Sequence, residues 1–191
     1  MSDLQVRGYT ITSTIAYLQD KLPAAEMQSL LENLSPQTKG VLQDIKPIGW
    51  YPVATIAELN WTIVSSLGKN DEARSRDALI NCGRYMAREA TNTFLKLLMR
   101  MLTPGIFAKK LPDFWSRDCT GGRLSAEVSD LKIACRIFET PGFDHVGAVA
   151  AGWVGFALEA MGKSIRTTTV TDWSLEKPNV DGAGFQFVWS A

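Results

Sequence analysis

The chain has 191 residues, 46% of them hydrophobic, and its 20 basic and 20 acidic residues leave no formal charge. This length predicts a single domain over 1–191, with a core large enough to need neither disulfides nor metals. The balanced charge argues against a nucleic-acid partner, which would require a basic surface stripe. Three widely spaced cysteines, no long apolar run and no leader-like start lead us to expect a soluble, cytoplasmic protein with no integral membrane segment.

The first half of the sequence predicts helices. Residues 9–18 mix Thr and Ser with apolar residues, a pattern that fits helix or strand, and we favour helix. Apolar positions at spacings of three and four predict helices over 23–34 and 53–67, with a short helix over 36–43 between them. The prolines, glycine and aromatic residues of 46–52 predict a rigid connection with buried rings.

The longest predicted helix runs over 71–101, because Leu79, Gly83, Met86, Ala90, Phe94, Leu97 and Met101 follow the helical period. Its first half presents small residues and its second half large ones. Pro104 ends it. A further short helix is expected over 106–115, broken at Pro112.

After residue 122 the apolar period changes from 3.6 to 2. Residues 124–128 and 131–137 alternate on either side of Ser129-Asp130, which predicts a β-hairpin with one buried face. Residues 165–171 and 185–189 have strand character as well. Four strands in this order predict an α+β fold, in which helices pack on a four-stranded antiparallel sheet.

Between the two pairs of strands, apolar residues repeat at helical spacing over 146–161. Asp144 is the expected N-cap and Gly162 the expected stop. Glu159 is the one charged residue of this helix, so we expect it to be buried on most sides.

Several short motifs carry a family resemblance that covers nearly the whole chain. They are Gly8-Tyr9, Gly49-Trp50-Tyr51-Pro52, Gly83-Arg84, Gly121-Gly122-Arg123-Leu124, Ala151-Gly152-Trp153 and the final strand from Gly184 to Trp189. In this order, the chain resembles a myxobacterial domain family of unknown function, itself similar to 4-vinyl-reductase domains and to the core subunits of the TRAPP tethering complex. Relatives of that superfamily include haem-based NO-sensing domains.

The resemblance implies a vinyl-reductase-like or TRAPP-subunit-like fold whose helices and sheet enclose an apolar channel or ligand cavity. Two departures limit what it implies about cofactors. Vinyl-reductase-type chains place cysteines around the last hairpin, where this chain has Trp173 and Gly182-Ala183-Gly184. The haem relatives use a proximal histidine and a Tyr-x-Ser-x-Arg element, and this chain has neither motif. No cofactor is therefore predicted other than a small hydrophobic molecule.

The candidate ligand-binding residues are large apolar side chains at helical spacing. They could line a cavity, or they could fill a solid core. The set is Phe94, Leu98, Met101, Phe107, Trp115, Trp153 and Phe156.

His145, the one histidine, could be a haem or metal ligand, but we interpret it as a partly exposed residue at a helix start. Cys82 is expected to be a buried, inert thiol, and strand alternation points Cys135 inward. Cys119, in a loop beside Arg117, is the best candidate for a reactive thiol. No catalytic residue or metal site is predicted.

These observations favour a non-enzymatic binding or scaffold module that holds a small hydrophobic ligand or mediates protein–protein interaction. The alternative is an enzyme or sensor that acts on a tetrapyrrole or another apolar small molecule. A homodimer is expected, because the amino-terminal helices carry apolar residues to which no strand is assigned. Those residues are Ile15, Leu18, Met27, Leu30, Leu31 and Leu34.

Overall fold

The computed structural model describes residues 4–91 and 99–190. Within those residues the chain forms seven helices and six strands. The helices are α1 (Gly8–Lys21), α2 (Ala24–Asn33), α3 (Pro36–Gln43), α4 (Val53–Ser66), α5 (Glu72–Ala90), α6 (Pro104–Asp118) and α7 (Val146–Ala160). The strands are β1 (Gln5–Arg7), β2 (Trp50–Pro52), β3 (Arg123–Ser129), β4 (Lys132–Phe138), β5 (Ile165–Thr171) and β6 (Gly184–Trp189).

The main sheet is antiparallel, with strand order β3-β4-β6-β5. The predicted hairpin and the two carboxy-terminal strands therefore share one sheet, and the α+β prediction is confirmed. Alternate residues of the two central strands are buried, because one face of the sheet packs on α7. These inward-facing residues are Ile133, Cys135, Ile137, Phe185, Phe187 and Trp189.

The hairpin turn lies one residue later than predicted. Ser129 pairs with Lys132, so the two-residue loop is Asp130-Leu131 and not Ser129-Asp130. Asp130 adopts a positive φ of 39°, a conformation that Asp tolerates better than most residues. The alternation of the flanking strands was enough to predict the hairpin, but the conformation of the turn determines which two residues form the loop.

A second, two-stranded sheet joins β1 to β2, with Val6 opposite Tyr51. The sequence did not predict β1, since three residues give too short an alternation to recognise. The predicted rigid connection is present, although the rings of Trp50 and Tyr51 are only half-buried. A Cβ at Gly8 would overlap the carbonyl oxygen of Lys46, so this connection crosses the start of α1 at backbone contact.

The centre of the described structure is the packing of α5 against α7. Two glycines allow it. A Cβ at Gly83 of α5 would overlap the carbonyl oxygen of Val149, and a Cβ at Gly152 of α7 would overlap that of Ile80. The two helices therefore meet backbone to backbone, and α7 is buried on most sides as predicted.

Two helix predictions were wrong. The helix predicted over 71–101 ends at Ala90, because Thr91 turns to extended backbone and its hydroxyl donates to the carbonyl of Ala87. The stretch 92–98 lies outside the described residues. The helix predicted to break at Pro112 runs through it as α6, because Thr103 caps its start and burial of Phe107, Ala108 and Leu111 outweighs one lost backbone bond.

The amino-terminal helices fold back on the same core. Leu18, Met27 and Leu34 are buried in it, and Tyr17 donates a hydrogen bond across to the Ala78 carbonyl of α5. Ile15, Leu30 and Leu31 are half-buried against the same cluster. In the described part of the chain, none of the helices has the length and apolar character that crossing a membrane requires.

Candidate functional site

An apolar pocket of about 110 Å³ lies among α1, α5, α6 and α7, beside the start of β3. Its wall is formed mainly by aliphatic and aromatic side chains, with a few polar groups. A concave apolar site of this kind is the default candidate for ligand binding. The described residues that line it are Tyr9, Thr10, Gly83, Met86, Leu111, Phe114, Trp115, Asp118, Cys119, Leu124, Phe143, Val146, Val149, Ala150, Trp153 and Val154.

The structure brings some of the predicted site residues together and separates others. Trp115 and Trp153 line the pocket. Phe107 is fully buried and stacks on Trp153, with ring centroids 6.4 Å apart, so it supports the wall from behind. Met101 is 80% exposed and lies at the surface, and Phe156 faces a separate groove beside Glu159. Phe94 and Leu98 lie outside the described residues.

Two polar residues of the pocket wall, Tyr9 and Asp118, are hydrogen-bonded to each other. The Tyr9 hydroxyl donates to Asp118 Oδ2 at 2.5 Å. Arg117 holds the same carboxylate with two bonds, Nε to Oδ1 at 2.9 Å and Nη2 to Oδ2 at 3.0 Å. Burial, followed by the charge and hydrogen bond of Asp118, raises the pKa of Tyr9 well above its usual range. The phenol therefore stays protonated and acts as the donor to Asp118.

This pair was missed at the level of sequence. Tyr9 opens the first helix and Asp118 ends the sixth, 109 positions apart along the chain. The family resemblance included Tyr9 but gave it no role, and a single aspartate after an arginine is a common surface pattern. No sequence signal could have joined the two, because their proximity depends on the packing of α1 against the end of α6.

Cys119 does not have the properties of a reactive thiol. It is 7% exposed, and its backbone makes a β-bridge to Val6. Burial, and then the nearby negative charge of Asp118, raises the pKa of the Cys119 thiol to about 12. The prediction of a reactive Cys119 is therefore wrong. Burial also raises the pKa values of Cys82 and Cys135 to about 12, which agrees with the prediction that they are buried.

His145 is fully buried, whereas a partly exposed position was predicted. It replaces Asp144 as the residue before α7, with a positive φ of 64°, and its amide donates to the Pro178 carbonyl. Trp173 Nε1 donates to His145 Nδ1 at 3.2 Å, and Nε2 has no hydrogen-bond partner in the described chain. Burial lowers the pKa of the imidazole to about 4, against a smaller opposing effect of Asp144.

A larger concavity of about 390 Å³ lies between α2 and α4, but its wall is mostly polar. Its acidic residue Glu58 is already bonded by the Ser35 amide and by the hydroxyls of Ser35 and Thr38. Burial tends to raise the pKa of Glu58, but these hydrogen bonds outweigh it and lower the pKa. Glu58 thus holds the start of α3, and we regard this cleft as structural.

No known protein-family model matches the chain, and no curated protein matches it at a significant level. Solved structures do match. A single-site mutant of the Fe(II) unliganded H-NOX protein from K. algicida superimposes with a TM-score of 0.71 at 11% identity, over 97% of each chain. The H-NOX protein from S. oneidensis in the Fe(II)NO state gives 0.59 at 11% identity, over 97% of this chain and 99% of that one. A T. tengcongensis H-NOX mutant gives 0.58 at 12% identity, over 97% and 98%.

The fold is therefore that of the H-NOX proteins. At 11 to 12% identity this similarity defines the fold alone. Of the expected resemblance, these structures support the haem-NO-binding part and give no support to the vinyl-reductase, TRAPP and myxobacterial parts. A further H-NOX match, at a TM-score of 0.53, comes from a study of haem distortion in that family.

The residues of this chain do not fit a haem in the described pocket. The one histidine does not line the pocket, and its Nδ1 accepts from Trp173, so the neutral ring carries its proton on Nε2, the nitrogen without a partner. The backbone contact at Gly83 and Gly152 closes the space between α5 and α7.

Proposed function

We propose that the chain is a non-enzymatic ligand-binding module with an H-NOX fold, and that its pocket holds a small apolar molecule in place of a haem. The observation that carries this proposal is the 110 Å³ apolar pocket beside the α5–α7 contact. An engineered apolar cavity of about 150 Å³ binds benzene or xenon. This pocket is smaller, so it suits a ligand no larger than a single ring.

The state of the polar groups in the wall supports binding over catalysis. Tyr9 is bonded to Asp118, and the Trp115 indole donates to the Gly121 carbonyl at 3.0 Å. Burial keeps the Cys119 thiol protonated, and the histidine lies elsewhere. An enzyme would need a nucleophile or a general base that is free to react, whereas Tyr9 and Cys119 stay protonated and Asp118 is already hydrogen-bonded to Tyr9 and Arg117.

Calorimetric titration of the purified protein with toluene tests the proposal. We expect saturable binding of about one equivalent. Ala150→Leu adds bulk to the pocket wall and should abolish it. Ala160→Leu makes the same change ten residues further along the chain, outside this pocket, and should leave binding unchanged. Absence of saturable binding to the wild-type protein would refute the proposal.

A tetrapyrrole sensor is the second candidate function, and the observation that favours it is the similarity to H-NOX structures. Expression with excess haem source followed by absorption spectroscopy separates the two candidates. The proposed module gives no Soret band after purification. A stoichiometric Soret band that is lost in His145→Ala would establish the second candidate instead.

A role in protein–protein interaction stays a hypothesis. Six large apolar side chains are exposed among residues 4–91 and 99–190, and of these Val128 and Leu131 belong to the same β3–β4 hairpin. The six are Ile48, Trp61, Met101, Ile106, Val128 and Leu131.

A further inference from the structure

We propose that the ligand of this pocket is an uncharged, single-ring molecule with one hydrogen-bond donor, and that this donor binds the Asp118 carboxylate beside Tyr9. This inference rests on the proposed function and specifies its ligand. It follows from the hydrogen-bonding capacity that the protein's own contacts leave in the pocket wall.

The pair of Tyr9 and Asp118 has acceptor capacity to spare. A carboxylate can accept about four hydrogen bonds. Asp118 Oδ2 accepts from Tyr9 and Arg117, whereas Oδ1 accepts one bond, from Arg117 Nε. The Tyr9 hydroxyl donates its hydrogen bond to Asp118, and its oxygen keeps a lone pair that can accept another. This part of the pocket wall can therefore take a donor from a ligand.

Donors in the same wall are mostly in use. The Tyr9 hydroxyl and the Trp115 indole each have a protein acceptor. The Cys119 thiol is a weak donor. The Thr10 hydroxyl can act as donor or acceptor, but a bond to an ionised carboxylate is about twice as strong as one between neutral groups. A ligand that donates is therefore favoured over one that only accepts.

The charge of the site favours a neutral ligand over a cation. Arg117 already pairs with Asp118 through two bonds, and only 19% of the Asp118 side chain is exposed. An ammonium ligand would have to leave water for a mainly aliphatic and aromatic wall, with a carboxylate that is already neutralised. A hydroxyl or a ring N–H can donate there without that cost.

Benzyl alcohol and anisole test this directly, because they are isomers of almost equal size and only the alcohol has a donor. We expect wild-type protein to bind benzyl alcohol about tenfold more tightly than anisole, the ratio for one hydrogen bond to a charged acceptor. Asp118→Asn keeps the shape and one acceptor oxygen but removes the charge, so the ratio should fall to about threefold, the value for a hydrogen bond between neutral groups. Toluene affinity and circular dichroism report whether that variant keeps its pocket and fold.

The outcomes separate this inference from the proposed function. Equal affinity of wild-type protein for the two isomers, with toluene still binding, would refute the hydrogen bond from the ligand to Asp118. The proposed ligand-binding pocket would still stand. Failure of toluene and both isomers to bind overturns the pocket itself. A preference for the alcohol that is undiminished in Asp118→Asn but disappears in Thr10→Val would make Thr10 the acceptor of the ligand's hydrogen bond and contradict the assignment. The relative affinity of wild-type protein for benzyl alcohol and anisole tests the hydrogen-bond donor even if the variants do not fold.

Discussion

At the residue scale, His145 connects three parts of the chain that are distant in sequence. Its ring meets Trp61 of α4 edge-on, with centroids 4.4 Å apart, and accepts a hydrogen bond from Trp173 in the β5–β6 connection. Its neighbour Asp144 accepts from Trp61 Nε1, and the Asp144 carbonyl accepts from Asn60. The start of α7 is thus tied to the helical half of the molecule and to the sheet.

This burial makes stability depend on pH in a defined window. The pKa of His145 falls from the ordinary 6.5 to about 4, so between these values the unfolded chain binds the proton more readily than the folded one. Stability is therefore lost as the pH falls from about 6.5 to about 4. At about 1.4 kcal/mol for each pKa unit, the loss is roughly 3 kcal/mol.

Urea unfolding of wild-type protein and of His145→Asn between pH 7 and pH 4 measures this effect. Asn tolerates the positive φ of this position and does not titrate. The carboxylates titrate in both proteins, so the difference between the two pH profiles isolates the histidine. We expect the wild type to lose about 3 kcal/mol more than the variant over this range. Parallel profiles would show that His145 is not held neutral by burial.

At the scale of elements, the contact of α5 with α7 decides both the stability of the fold and the size of the pocket. Gly83 lies in that contact and also lines the pocket. The glycine lets α7 approach to backbone contact, while Val149, Ala150 and Trp153 of the same helix leave a small apolar space beside it.

We expect Gly83→Ala to lower the free energy of unfolding by about 2 to 3 kcal/mol, because the new Cβ would overlap the backbone of Val149 and force the helices apart. Gly147→Ala is the matched control. It lies in α7 with open space around the Cβ position, so stability should stay the same or rise by up to about 1 kcal/mol. Denaturant unfolding measures both. Equal effects at the two positions would contradict backbone contact at Gly83.

The sequence predicted elements with strong periodicity and missed features that depend on tertiary contacts. Alternating residues were sufficient for three strands of the four-stranded sheet and β-branched residues for the strand over 165–171, while helical spacing was sufficient for α2, α4 and α7. The same spacing continues beyond Ala90, so it could not show that Thr91 ends the helix. Of the five proposed site residues that the structure describes, two line the pocket, since spacing shows which residues are apolar but not which of them face a cavity.

At the scale of the whole molecule, the structure removes most of the apolar surface from which a homodimer was expected. The homodimer was expected because six apolar residues of the amino-terminal helices had no assigned partner. Three of them, Leu18, Met27 and Leu34, are buried in the chain's own core. The other three are half-buried against it, so none of the six is fully exposed. The apolar patch that would require a second copy is therefore much smaller than the sequence indicated.

We therefore expect a monomer in solution, with a light-scattering mass of about 21.0 kDa that does not rise with concentration in the micromolar range. Leu30→Glu supplies the check on the surface concerned, because Leu30 is half-buried at the edge of the cleft between α2 and α4. In a monomer this change leaves the mass unaltered. A wild-type mass near twice 21.0 kDa that returns to 21.0 kDa in Leu30→Glu would restore the homodimer and place its interface on α2.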